Sequence, residues 1–276
     1  MKILTALLAA MTALSAWAQT SQETRNKPFP PFKIMGNIYF VGTEDLGSFL
    51  ITTPDGHILI NSDYESTVPQ LRTSVEKLGF KFTDIKILLG SHAHGDHMEG
   101  DALVKELTAA QVMVMDQDIP AISRLTPKGK PHPIDRVIHD GEEVKLGGTT
   151  LVANLTPGHT KGCTTWTMKA QENGKSYDVA ILGSIGVNAN YVLVNNKTYP
   201  EIVEDYGKGF KVLRSLHVDV FLGAHAGFFG MAAKYEKRKE GAANPFIDPA
   251  GYVAHLDLQE KNFKAKLAEQ QKAANQ

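Results

Sequence analysis

One cysteine, Cys163, stands in a chain of 276 residues. A lone thiol closes no internal disulfide, so the fold has to be held by its apolar core alone. An excess of charge of either sign is missing as well: 29 lysines and arginines face 30 aspartates and glutamates, for a formal net charge of −1. That balance removes the electrostatic case for a nucleic acid or an anionic membrane surface as partner and leaves a small molecule as the default substrate. The apolar run near the start, ILTALLAAMTALSA, is too short to span a bilayer and gives way at once to the polar QTSQETRNK. No internal repeat of short period is visible.

That short run reads instead as an export signal. Lys2 supplies the positive start and Ala16-Trp17-Ala18 a small-residue cleavage site, so Met1 to Ala18 is expected to be a cleaved signal peptide and the mature chain periplasmic. The alternative, an uncleaved anchor helix, is disfavoured by the same shortness. Residues 19–31, with Pro28, Pro30 and Pro31, are expected to form a flexible lead-in. The remainder, 32–276, is long and apolar enough for one domain with its own core.

Within that domain the patterns alternate. FKIMGNIYFVGT and GSFLITTPDGHILINS predict strands, the second pair turning at Pro54-Asp55-Gly56. Val68, Leu71, Val75 and Leu78 recur at helical spacing over Thr67 to Gly79. A buried strand through Ile87 to Leu89, a helix over Met98 to Ala109, a strand over Gln111 to Met115 and a short helix over Asp118 to Leu125 follow. From Arg136 strands separated by turns take over, with Asn173-Gly174 marking a hairpin. A helix over residues 200–216, a strand over Asp219 to Gly223 and a charged amphipathic helix from about Pro249 close the chain, giving an α/β class in two βα-rich halves.

The chemistry concentrates in IKILLGSHAHGDHMEG, Ile85 to Gly100. Six residues hold His92, His94, Asp96 and His97. Side chains that alternate along an extended segment face one way, so His92 and His94 are expected to converge on one cation, while Asp96 and His97, beyond Gly95, turn toward a second. Surface histidines without a metal are the bland alternative; crowded imidazoles and a carboxylate gain nothing from such an arrangement. Of the other histidines, two stand where a strand gives way to a glycine-flanked turn: His159 in TPGHT and His225 in GAHAG. His92, His94 and His159 then make one tetrahedral zinc site with an open position, and Asp96, His97 and His225 another. His57, His132, His139, His217 and His255 are expected to be surface or packing residues, with His132 the least settled because its loop can reach the site. Cys163, in GCTTW, is read as a small buried apolar residue ahead of a metal ligand.

His92-x-His94-x-Asp96-His97 followed by His159 and His225 resembles the metallo-β-lactamase superfamily. The resemblance implies a four-layer αββα sandwich with two mixed sheets, two Zn2+ per chain at their open edge, and Asp96 as a catalytic residue. Glyoxalases and lactonases of that superfamily place a bridging aspartate on the strand after the third histidine, and the largest β-lactamase subclass a cysteine; here Ser184 stands there. That pattern, with GSIGVNANY, YPEIVEDY and DVFLGAHAGFFGM, is similar to subclass B3, and NPFIDP is similar to its monomeric members, so a monomer is expected. The implied reaction is hydrolysis of the β-lactam amide of penicillins, cephalosporins and carbapenems by a zinc-bound hydroxide, with Ser184, Asn188 and Asn190 as substrate-binding candidates. Ser184 is expected to hydrogen-bond a metal-held water rather than the metal itself. The alternatives are a lactone, ester or thioester hydrolase of the same fold, and a zinc-binding relative without activity. The segment DQDIPAISRLTPKGKPHPID, between Met115 and Arg136, is shorter than its counterpart in members of the subclass and bears on the substrate groove.

Overall fold

In the computed structural model, residues 27–241 and 243–276 are described; the expected signal peptide lies outside them. Seven strands form the first sheet in sequence order: β1 (Phe32–Met35), β2 (Ile38–Phe40), β3 (Phe49–Thr53), β4 (Gly56–Ile60), β5 (Ile85–Leu89), β6 (Gln111–Met115) and β7 (Arg136–Ile138). β1 to β4 pair antiparallel through short turns, and β4 to β7 pair parallel. The parallel half needs crossovers, and α1 (Val68–Lys77) supplies the first, while α2 (Gly95–Met98) and α3 (Asp101–Thr108) lie between β5 and β6. A one-turn helix, α4 (Ile119–Ile122), follows β6.

The second sheet has five strands, β8 (Glu143–Leu146), β9 (Thr149–Leu155), β10 (Thr164–Glu172), β11 (Lys175–Leu182) and β12 (Val220–Gly223), with β12 parallel to β11 and the other pairs antiparallel. The β10–β11 turn is Asn173-Gly174, both at positive φ, as a tight hairpin of matching twist requires. α5 (Ile202–Ser215), α6 (Met231–Lys239) and α7 (Pro249–Ala274) complete the order.

Alternation along the strands builds the layers. Ile58, Ile60, Ile87, Leu89, Met113 and Met115 face the second sheet's Leu151, Ala153, Trp166, Met168 and Ile181 in one core. Leu59, Leu88, Val112 and Val114 point the other way, onto Val68, Leu71 and Val75 of α1 and Val104 of α3. Parallel strands covered on both faces therefore read as continuous apolar runs rather than alternating ones. Tyr206, Phe210 and Leu213 of α5 and Tyr252, Leu256 and Phe263 of α7 join the inter-sheet core from the outer side of the second sheet, with Tyr206 stacked on Phe263 at 4.8 Å. The result is the expected αββα sandwich.

Two features depart from the sequence-based expectation. Residues 27–31 of the expected lead-in are attached: Phe29 packs edge-on against Phe32, Phe40 and Tyr235, and Glu44 N–H donates to Lys27 C=O at 2.9 Å. α6 has no counterpart among the expected helices, because among its nine residues only Met231 is buried and no apolar period marks it.

Candidate metal centre

β5 ends at Leu89, a Cβ at Gly90 would lie 2.3 Å from the Met98 side chain, and the chain bends from Ser91 onward. Asn61, at φ +65°, braces this bend: its own N–H donates to Leu89 C=O, its Oδ1 accepts from Ser91 N–H, and its Nδ2 donates to Gly47 C=O, each at 2.9 Å. His92 and His94 then converge through a turn, His94 N–H donating to His92 C=O at 2.8 Å, rather than through extended alternation. Asp96 and His97 come from α2 one turn later.

The second sheet delivers the partners. His159 follows β9 at Gly158, whose φ is +126° and where a Cβ would meet the Tyr206 ring at 2.7 Å, so only glycine admits this approach. His225 follows β12. The ring centroids of His92, His94 and His159 stand 4.7–4.8 Å apart. His97 lies 4.3 Å from His92 and 4.9 Å from His225. Asp96 carboxylate oxygens lie 3.7 Å from His97 Nε2 and 3.8 Å from His225 Nε2. The donor atoms of each trio, His92/His94/His159 and Asp96/His97/His225, lie within 4.8 Å of one another, so all six expected residues meet in two adjacent sets.

Their chemistry fits a cation. His92 is 2% exposed, and its buried Nε2 has no hydrogen-bond partner among the described residues, a cost that a metal ion would lift. His159 Nδ1 lies 2.7 Å from Gly186 C=O; donation there leaves Nε2 as the lone-pair nitrogen a metal requires. Burial first, then the neighbouring imidazoles, hold His92 well below its ordinary pKa, and burial followed by His94 lowers His159 to about 3. Both are therefore neutral at pH 7, the ligating form. Three nitrogens in one set and two nitrogens with a carboxylate in the other suit zinc.

Asp118 does more than open the expected short helix. Its buried carboxylate accepts from Ala93 N–H at 2.8 Å, Gly162 N–H at 2.7 Å and Thr160 Oγ at 2.9 Å, tying the loop of His92 and His94 to that of His159 across the sheets. His132 is likewise no surface residue: its Nε2 lies 3.0 Å from Asp101, whose other oxygen accepts from Ser62 Oγ at 2.5 Å, and Ser62 N–H donates to His97 C=O at 3.0 Å. Such roles depend on partners distant in sequence. Asp63, packed nearby, is pushed up to about 8 by burial, with Asp96 and Asp45 adding to the rise.

Of the substrate-binding candidates, Asn188 lines a cleft of about 380 Å³ over the donor sets, together with Asp45, Phe228 and Gln259. Asn190 lines a neighbouring cleft. Ser184 is 1% exposed and its Oγ accepts from Gly186 N–H at 3.3 Å, which sets it behind the first turn of the loop. Tyr191, not singled out in the sequence, puts its hydroxyl 3.4 Å from His94 Nε2 and donates to His159 C=O at 2.7 Å. Cys163 is buried, its thiol pushed up by burial and donated to Ser184 C=O at 3.1 Å, as a packing residue rather than a ligand.

A two-sheet α/β sandwich with paired nitrogen and carboxylate donor sets at the shared end of its sheets defines a metallohydrolase type of centre. The family model of the metallo-beta-lactamase superfamily matches residues 47–225, and the chain belongs to that superfamily. It is similar to the native FEZ-1 metallo-beta-lactamase from Legionella gormanii, at 51% identity and a TM-score of 0.85, covering 89% of this chain and 98% of that one. It is similar also to BJP-1, a subclass B3 metallo-beta-lactamase of Bradyrhizobium japonicum, at 35% identity and a TM-score of 0.85, covering 92% and 99%. Among curated proteins it matches a hydroxyacylglutathione hydrolase of Rhodopseudomonas palustris at 33% identity over 118 residues, 43% of this chain. The chain spans 41% of that relative's length.

Proposed function

We propose that this chain is a zinc-dependent β-lactamase of the subclass B3 kind, hydrolysing the β-lactam amide of penicillins, cephalosporins and carbapenems, and that it is exported through Met1–Ala18. The observation that carries the reading is the composition of the second donor set. Among the described residues, Asp96, His97 and His225 form it with no thiol and no carboxylate from the loop just past β11, where Ser184 stands; Asp45 meets the other nitrogen of His225, its Oδ1 3.6 Å from Nδ1. Lactone and thioester hydrolases of this superfamily resemble one another in a bridging aspartate at that place. The near full-length likeness to two metallo-beta-lactamases supports the same reading.

His92, His94 and His159 would hold one zinc and Asp96, His97 and His225 the other. When bound, zinc supplies Lewis acidity and lowers the pKa of a water toward about 7. Around it the protein's own groups divide the work. Asp96, beside both His97 and His225, orients the attacking water and carries one of its protons to the lactam nitrogen as the carbon–nitrogen bond breaks. Asn188 lines the cleft from the loop after β11, and its side-chain amide would bind the substrate carboxylate or carbonyl oxygen. Ser184, behind it, holds the loop through Gly186.

A thioester or ester hydrolase is the second reading, favoured by the partial match to hydroxyacylglutathione hydrolase. The two separate on purified, zinc-loaded protein assayed with a chromogenic cephalosporin, benzylpenicillin, a lactone and a glutathione thioester. The expected result is turnover of the β-lactams alone, abolished by chelation, and a drop of at least about a thousandfold in Asp96→Ala with the far-ultraviolet circular dichroism of the folded chain retained. Thioester turnover without β-lactam turnover would overturn the proposal. Amino-terminal sequencing of the periplasmic protein, expected to begin at Gln19, tests export.

A further inference from the structure

Beside the metal centre opens a second cleft, of about 600 Å³, which shares His159 with the first. Its walls include Pro120, Tyr191, Tyr199 and Ile202, an apolar and aromatic lining, and two cations, Arg124 and Lys161. Lys161 Nζ lies 4.9 Å from the centroid of the Tyr199 ring, which holds the ammonium against the wall. Three carboxylates stand nearby, and none cancels this charge: Asp205 accepts from the Tyr199 hydroxyl at 2.8 Å and is paired with Lys208 at 2.7 Å. Asp118 accepts from Ala93, Thr160 and Gly162 and is 2% exposed, so it is committed to the loops. The Glu201 carboxylate forms an ion pair with Lys161 at 3.9 Å, but the two side chains are 62% and 45% exposed, so water screens the pair and little of the charge is neutralised. Space of this size suits a small organic group, and positive charge above aromatic walls selects what that group must be.

We propose that this cleft is an anion-selecting subsite for the acylamino arm of the substrate: it takes an aromatic arm that itself bears a carboxylate, with Lys161 and Arg124 as the specificity-determining residues. The proposal rests on the β-lactamase reading. Once the lactam lies over the donor sets, the arm passes His159 and Tyr191, its ring meets Tyr199 and Ile202, and its carboxylate meets the two cations.

The test uses two penicillins that differ by a single carboxylate on the arm, benzylpenicillin and its α-carboxybenzyl counterpart, with the zinc-loaded full chain. The kcat/KM of the α-carboxybenzyl penicillin divided by that of benzylpenicillin is expected to fall about fivefold in Lys161→Met, through KM, and further in the double variant with Arg124→Met. Lys161→Arg should restore it, and raising the salt from about 0.05 to 0.5 M should compress the native ratio, as screening demands. Benzylpenicillin turned over with a ratio that neither substitution nor salt moves beyond about twofold would overturn the subsite and leave the β-lactamase reading intact. No turnover of either penicillin would overturn both.

Discussion

His255 offers a measurement that needs no bound metal. It lies on α7, 8% exposed, its ring 5.2 Å from Phe221 and 4.9 Å from Phe228, with Nε2 buried and without a hydrogen-bond partner among the described residues. Burial alone lowers its pKa from 6.5 to about 4. The folded chain therefore binds this proton more weakly than the unfolded chain. Its contribution to stability is fully present above pH 6.5, declines as the pH falls, and is lost below about 4. Between pH 7.5 and 4.5 the loss is about 2.5 kcal/mol, since each tenfold difference in proton affinity between the folded and unfolded chains is worth about 1.4 kcal/mol. That is a large share of the about 5–15 kcal/mol that a domain has to lose. His255→Phe keeps a ring between Phe221 and Phe228 and removes the titration. Urea unfolding of chelator-treated native and variant protein at both pH values isolates the difference, since His92 and His159 titrate alike in the two. The native chain should lose about 2.5 kcal/mol more than the variant; losses parallel to within about 0.5 kcal/mol would refute the burial argument.

Asp118→Ala removes a carboxylate that accepts three hydrogen bonds and leaves the N–H groups of Ala93 and Gly162 buried, so the chain should lose about 2–4 kcal/mol of stability in denaturant titration. The same variant should weaken zinc at the three-histidine set by about 10–100-fold in a competition titration with a chromophoric chelator. Gln270 accepts from the N–H groups of Leu193 and Val194 and donates to Tyr191 C=O at 2.8 Å, so α7 holds the loop that brings Asn188 and Tyr191 to the clefts. At about 1 kcal/mol per bond, Gln270→Ala should speed hydrogen exchange at the Leu193 amide at least about fivefold and raise KM more than it lowers kcat.

Most of the architecture is legible in the sequence because its signals are local. Apolar strands bounded by turns, the Asn173-Gly174 hairpin and the α1 stripe each declare themselves within a dozen residues, and the six expected donors lie in three short glycine-containing segments that follow strands. What escapes has a common cause. Asp118, His132 and Tyr191 acquire meaning from partners 25 to 97 positions away, such as Ala93 for Asp118 and His94 for Tyr191. A charge in a loop looks the same in sequence whether it is wet or sealed. His132 is the plainest case: a histidine amid lysines and prolines leaves surface and packing roles open, and only the fold shows its side chain 1% exposed against Asp101. α6 escapes for the opposite reason, being too polar to leave a periodic trace.

The placement of the six donors has an energetic consequence for the whole fold. His92 and His94 follow β5 of the first sheet, and His159 follows β9 of the second; Asp96 and His97 come from α2, and His225 follows β12. Neither set is complete within one half, so a cation in either one fastens the two sheets to each other at their open end, where the apolar core stops. Binding that requires the docked state stabilises it by RT ln(1 + [L]/Kd), about 4 kcal/mol at free zinc a thousandfold above Kd. For a chain of this size, about 2–4 °C of melting temperature accompanies each kcal/mol, so stripping one such site should lower the midpoint by about 8–16 °C. Differential scanning calorimetry of the protein before and after dialysis against a chelator, with zinc content measured on the same samples, reads this directly. A midpoint that moves less than about 2 °C while the zinc content falls to zero would mean that the sheets dock fully without the cation and that the donor trios contribute nothing to holding them.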